Sequence, residues 1–116
     1  MEKKREFKIS KYRNNGARIF TGRDNGIKAR EDFGLNRVEE EEGEIYIVIP
    51  TDTWGINPSF FGGLFEGSIK KLGDEFSEKY RFLYPNGSEL EESLKRDIED
   101  NISYVIRNIS VEEGKG

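Results

Sequence analysis

With no histidine and no cysteine among 116 residues, any chemistry in this chain falls to Asp, Glu, Lys, Arg, Tyr, Ser and Thr. The two zeros exclude Ser–His and Cys–His nucleophilic pairs, imidazole acid–base catalysis, Cys/His zinc sites, disulfides and iron–sulfur clusters. The remaining reactive types gather in three places. The first is Gly22-Arg23-Asp24-Asn25-Gly26, with Arg30 beyond it. Its glycines suggest a phosphate loop, but the Lys-Ser/Thr ending through which a P-loop reaches phosphate and magnesium is missing. Arg23 and Arg30 remain candidates for binding an anionic group, or for pairing with Asp24 and Asp52. The second is the loop Thr51-Asp52-Thr53-Trp54-Gly55-Ile56, which holds the single tryptophan. An exposed loop tryptophan makes a strong interface anchor. The third is Asn57-Pro58-Ser59-Phe60, a helix start whose serine hydroxyl sits where the helix dipole and free N–H groups tolerate a phosphate.

Acid–base catalysis finds little here. Asp52 and Glu66 are the carboxylates nearest that helix end, and they form no recognisable pair. Glu39-Glu40-Glu41-Glu42-Gly43-Glu44 puts five carboxylates in six positions. Mutual repulsion disfavours their burial, and a metal needs ligands at fixed angles rather than a contiguous run, so this reads as a solvated loop. No catalytic residue, metal or cofactor is expected.

The net charge of −4 argues against a general nucleic-acid binder. Its distribution is uneven: Lys3, Lys4, Arg5, Lys8, Lys11 and Arg13 face only Glu2 and Glu6 over residues 1–13, which leaves the rest at −8. Residues 1–6 are read as a basic, solubilising arm, 7–110 as one domain and 111–116 as a flexible tail. No apolar run approaches the roughly 18 residues of a membrane span. The charged start without an apolar segment argues against a signal peptide. A cytoplasmic, thiol-free protein is expected.

The elements that must position these residues follow from periodicity and punctuation. Phe7, Ile9 and Tyr12 alternate with polar residues as a half-buried strand, and Asn14-Asn15-Gly16 carries turn chemistry. Ala17–Phe20 then returns as a second strand, so the domain is expected to open with a hairpin. Residues 22–36 read as a loop feeding a short helix that stops at Gly34. Ile45-Tyr46-Ile47-Val48-Ile49, apolar on both faces, reads as a central strand ended by Pro50. Asn57 caps and Pro58 starts a helix whose stripe is Phe60, Phe61, Leu64, Phe65, Ile69 and Leu72, closed by Gly73. Gly62, Gly63 and Gly67 interrupt it, and close helix–sheet packing is the reading that offsets their poor helix propensity.

Asp74–Lys79 is a turn or half-helix, Tyr80–Tyr84 a strand, and Pro85-Asn86-Gly87 a turn. Ser88 with Glu91 has the form of a capping box. Leu90, Leu94, Ile98, Ile102, Val105 and Ile109 then trace one face of a long helix. The expected fold is α/β: a small mixed sheet of about four strands with three helices, in the order β-β-α-β-α-β-α.

Residues 45–73 carry a resemblance. A buried strand, a short loop and an N-capped helix with Pro-Ser in its first turn resemble the STAS domain, the fold of bacterial anti-sigma-factor antagonists. The chain is more similar still to small STAS-like proteins of unknown function. These have a Gly-Arg-x-x-Gly-x-x-x-Arg type segment before the central strand, here Gly22–Arg30, and a Pro-Ser-Phe helix start after it, here Pro58-Ser59-Phe60. The resemblance spans roughly residues 7–108. In STAS antagonists an Asp-Ser-Ser-Gly sequence opens this helix, and a kinase-like ATPase phosphorylates a serine there. In this chain Asn57 stands for the Asp, Phe60 stands for the Gly, and Pro58 stands where the phosphorylated serine belongs, so Ser59, which matches the second serine, is the residue left there for modification.

The function expected from these readings is a non-enzymatic regulatory or adaptor domain. It would bind a protein partner, in antagonist style a kinase-like ATPase, through Thr51, Asp52, Trp54, Asn57, Ser59, Phe60 and Gly63. The alternative is an enzyme for a small anionic ligand or nucleotide built on Arg23, Arg30 and Asp52.

Overall fold

A computed structural model describes residues 5–14 and 16–114, with side chains up to Ser110. In chain order the elements are β1 (Arg5–Lys8), β2 (Ile19–Phe20), α1 (Arg23–Phe33), α2 (Leu35–Val38), β3 (Ile45–Val48), β4 (Gly55–Ile56), α3 (Pro58–Leu72), α4 (Phe76–Lys79), β5 (Tyr80–Leu83) and α5 (Glu92–Gly114). The class is α/β, as the pattern implies. Two small parallel sheets form, one in the order β1-β3-β5 and one pairing β2 with β4.

β3 takes the centre of the larger sheet, with Ile45, Ile47 and Ile49 fully buried. The opening hairpin does not form. Ser10–Tyr12 wind into a 3-10 turn, with the Tyr12 amide donating to the Ile9 carbonyl at 3.0 Å. The chain therefore leaves β1 without folding back on it. β1 lies parallel to β3, with Phe7 opposite Ile47, and β2 lies parallel to β4, with Ile19 opposite Gly55. Parallel pairing needs a crossover between partners. α1 and α2 supply it between β1 and β3, and α3 and α4 supply it between β3 and β5.

α3 is built as its sequence dictates. The Asn57 side chain accepts from the Ser59 amide at 2.9 Å, Pro58 occupies the first turn, and the Phe60–Ile69 stripe is buried. Phe61, Phe65, Phe76, Tyr80 and Phe82 pack ring on ring, with Phe65 5.1 Å from Tyr80 and Phe76 5.0 Å from it. Phe60 is fully buried and faces Phe20 at 5.1 Å. It supports the helix from beneath and offers nothing to a partner.

Gly63 is also covered, by a helix rather than by a sheet. α1 crosses α3 so closely that a Cβ on Gly26 would lie 2.2 Å from the Phe60 carbonyl oxygen. One on Gly63 would lie 2.2 Å from the Arg23 carbonyl oxygen. Only glycine at both positions lets the two backbones touch. Gly67, by contrast, is exposed and meets only the flexible Arg30 side chain.

Two helix ends differ from their sequence readings. Ser88 does not cap α5, because Asn86 Oδ1 accepts from both its amide (3.0 Å) and its hydroxyl (2.6 Å). α5 begins at Glu92 and runs through Gly114, so the expected tail is helical as far as that residue; Lys115 and Gly116 lie outside the described residues. Of the expected basic arm, Arg5 and Glu6 belong to β1, and residues 1–4 lie outside the described residues.

Replacing Gly63 by Ala forces a methyl into a backbone carbonyl, and overpacking of this kind costs about 1–3 kcal/mol. The expected outcome in urea denaturation is a loss of about 2 kcal/mol or more for Gly63→Ala. Gly67→Ala is expected to be neutral or stabilising by up to about 1 kcal/mol, from helix propensity alone.

Candidate functional site

The loop from Pro50 to Asn57 is shaped by β4. The Trp54 amide donates to the Arg18 carbonyl at 2.7 Å and the Asn57 amide to the Phe20 carbonyl at 2.8 Å, so β2 holds the loop at both ends. On the far side of β4, α5 closes the strand edge with side chains. Ile56 N donates to Asp97 Oδ2 at 2.7 Å, and Asn101 Nδ2 donates to the Ile56 carbonyl at 2.8 Å. Asp97 and Asn101 are four apart on α5 and so face β4 together. Held this way, the Trp54 ring projects outward and is 69% exposed; Ile19 on β2, opposite Gly55, is 42% exposed. The Arg18 guanidinium stacks 4.9 Å from the Trp54 ring centroid.

Thr51 and Asp52 are exposed, while Thr53 is buried with its hydroxyl unpartnered among the described residues. Asp52 is gripped by both guanidinium nitrogens of Arg13, at 2.7 and 3.2 Å. Those hydrogen bonds hold its carboxyl below the usual carboxylate range. At the start of α3, the Ser59 hydroxyl donates to Asn57 Oδ1 at 2.6 Å and accepts from the Gly22 amide at 3.3 Å. Ser59 and Asn57 are both exposed. Next to them a cleft of about 450 Å³ is lined by Arg23, Asn57, Ser59, Glu66, Tyr104 and Asn108. Thr51, Asp52, Trp54, Asn57 and Ser59 thus lie on the surface along one loop and helix start; Phe60 and Gly63 do not join them.

Arg23, Arg30 and Asp52 do not converge on one ligand. Arg23 extends along α3 to Glu66 at 2.8 Å. Arg30 turns inward, donating to the Leu64 carbonyl at 2.9 Å, Ser68 Oγ at 2.7 Å and Asn36 Oδ1 at 2.6 Å, and Asp52 pairs with Arg13. Among the described residues no group of acidic side chains has the arrangement to hold a metal ion. No helix among them is long and apolar enough to cross a membrane.

A polar cluster in the core escapes the sequence reading. Glu39, first of the glutamate run, has a fully buried side chain. Its Oε2 accepts from the Ser68 and Tyr80 hydroxyls, and its Oε1 lies 3.7 Å from Arg30. Burial, reinforced by the Glu39 hydrogen bond, pushes the Tyr80 hydroxyl pKa up. The rest of the run is solvated or pinned from outside: Arg5 bonds the Val38, Glu42 and Gly43 carbonyls and Glu41. One signal separates Glu39 from its neighbours. It lies four residues after Leu35, which is fully buried, and so continues that helix face inward.

No protein-family model, curated protein or solved structure matches the chain.

Removing one partner from a buried, paired charge costs about 3–5 kcal/mol. Urea denaturation of Glu39→Ala is expected to show a loss of about 3 kcal/mol, whereas Glu40→Ala on the exposed side stays within about 0.5 kcal/mol. For Asp52 the folded-state pKa lies below the unfolded one. The Arg13 contact therefore contributes above the unfolded carboxylate pKa and is lost as pH falls through the folded value. In an NMR titration, Arg13→Ala should move the Asp52 midpoint up toward the ordinary carboxylate value.

Proposed function

We propose that this chain is a non-enzymatic regulatory or adaptor domain that docks a partner protein on the face made by Thr51–Ser59 and β2. The exposure of Trp54 carries this reading. The aromatic rings of Phe20, Phe60, Phe61, Phe65, Phe76, Tyr12 and Tyr80 are buried. Trp54 stands out on a loop tied by backbone hydrogen bonds at both ends. A large apolar ring held rigidly in water suits an interface, where its burial is favourable and little conformational freedom is lost. Thr51, Asp52, Asn57 and Ser59 supply the polar rim around it, and Phe60 and Gly63 act beneath them as the packing that fixes the helix start.

The STAS-like resemblance supports a cytoplasmic signalling role and makes a kinase-like ATPase the first partner class to test. Ser59 is the position for a phosphate in that reading. A phosphoryl group on its hydroxyl would remove the donor that reaches Asn57 and place negative charge where a partner must approach. The enzyme alternative has no comparable support, because Arg23, Arg30 and Asp52 are each held by a separate set of side chains.

Partner capture with purified variants tests the reading. A hot-spot anchor is worth about 2 kcal/mol or more, so Trp54→Ala should weaken the captured complex by at least about thirtyfold while leaving the thermal melt unchanged. Ser59→Asp should weaken it and Ser59→Ala should not. Indifference to Trp54 would sink the docking face; indifference to both Ser59 changes would remove the phosphate.

A further inference from the structure

We propose that the outer edge of β2 accepts an extended, acidic segment of a partner protein as an added strand. The inference rests on the docking reading above and specifies the chemistry of what docks. Arg18 and Phe20 direct their carbonyls to the Trp54 and Asn57 amides. In a parallel pair, alternate residues turn their polar groups to opposite sides. Ile19, between them, therefore directs its N–H and C=O away from β4. The small sheet ends at this edge. Its opposite edge is already occupied, because Asp97 and Asn101 satisfy Ile56 in the manner of a neighbouring strand. The sheet can thus grow only at β2. An open main-chain edge is a template for strand addition, in which backbone hydrogen bonds give affinity and alternate side chains give specificity.

Charge selects the occupant. Residues 11–23 carry Lys11, Arg13, Arg18 and Arg23 and no carboxylate, within a chain whose net charge is −4. Arg13 and Arg23 have carboxylate partners in Asp52 and Glu66, while Arg18 lies on Trp54 and makes no ion pair within 4 Å among the described residues, with Asp52 attracting it only from farther away. A carboxylate from the incoming strand would complete Arg18, and the next residue, on the opposite face, would cover Ile19 if apolar. The edge favours a peptide over a nucleic acid. Ile19 offers a donor and an acceptor together, which another backbone amide matches and a phosphodiester, with acceptors only, does not. The other open edge, β1, alternates Glu6 with Lys8 and has no exposed tryptophan beside it, so it lacks both selecting features.

The test uses the full chain with a blocked peptide of alternating Glu and Val. Its controls are the same peptide N-methylated along one edge, the Lys-Val version, and a single-stranded oligothymidylate of matched charge. Trp54, the single tryptophan, reports binding by fluorescence, and hydrogen exchange reports on Ile19. The Glu-Val peptide is expected to shift Trp54 emission saturably with a midpoint at or below about 1 mM. It should also slow exchange of the Ile19 amide at least about tenfold. The exposed Arg18→Glu variant should lose this response and gain one to the Lys-Val peptide. Strand addition is overturned if the N-methylated peptide binds as well, if Ile19 stays unprotected, if oligothymidylate binds more tightly, or if the Glu-Val peptide gives no signal. Partner capture that still depends on Trp54 while Ile19 exchange is unchanged would leave the docking reading standing and reject the added strand alone.

Discussion

Two glycines in contact govern the arrangement of this domain. With Gly26 on α1 and Gly63 on α3, the helices approach until the carbonyl of Arg23 meets one Cα and the carbonyl of Phe60 the other. Everything α1 carries is placed by that approach. Arg23 reaches Glu66 along the neighbouring helix, and Arg30, two turns on, reaches the Leu64 carbonyl and Ser68. The segment entering α1 is drawn in as well, since the Gly22 amide donates to Ser59 and Phe20 packs on Phe60. β2 therefore lies beside β4 because α1 lies on α3. Side chains at the crossing would hold the helices apart and break these contacts together.

The cluster of Arg30, Glu39, Ser68 and Tyr80 depends on the same approach. It joins α1, the end of α2, α3 and β5 through one buried carboxylate. Burying a charge is expensive, and its attraction to a partner offsets that cost only when hydrogen bonds satisfy the oxygens. Glu39 Oε2 has two hydroxyl donors, and Oε1, which lacks a hydrogen bond, faces the Arg30 guanidinium. Apolar side chains of the same volume often serve stability as well as such a cluster or better. A shift of α1 along α3 would strand the carboxylate.

The face proposed for docking rests on a very short strand pair, two buried side chains and a set of polar connections. The β2–β4 pair is two residues long, and its stability comes from what surrounds it: Phe20 and Ile56 in the core, Asp97 and Asn101 on one edge, and the Arg13–Asp52 pair at the loop. β5 is protected in another way, by the Leu83–Glu89 bridge and the Tyr84–Ser88 hydrogen bond. The consequence for function is a short, rigid edge with an aromatic ring next to it, on a chain that conceals most of its other rings.

Much of this was legible in the residues themselves. The Ile45–Ile49 run, the Asn57-Pro58 start of α3, the Gly34 stop and the α5 stripe depend on neighbours within about one helical turn or on strand alternation, and each forms as its pattern implies. The Thr51–Ser59 segment and Trp54 also stood out as a candidate site from residue type and spacing. Less legible was anything that depends on a partner far along the chain. Gly63 was conspicuous, but not that it faces Gly26; Phe60 belonged to an apolar stripe, but its place under Phe20 hides it from a partner. Asn14-Asn15-Gly16 has hairpin chemistry, yet β2 pairs with β4 because a crossing of two helices sets it there. Glu39 reads like its acidic neighbours until a hydroxyl from α3 and another from β5 close over it. Local free energies of capping, turning and alternation act between adjacent residues, so the chain carries them in its order. Burial and exposure arise from contacts between distant segments, and those exist only once the backbone has brought them together.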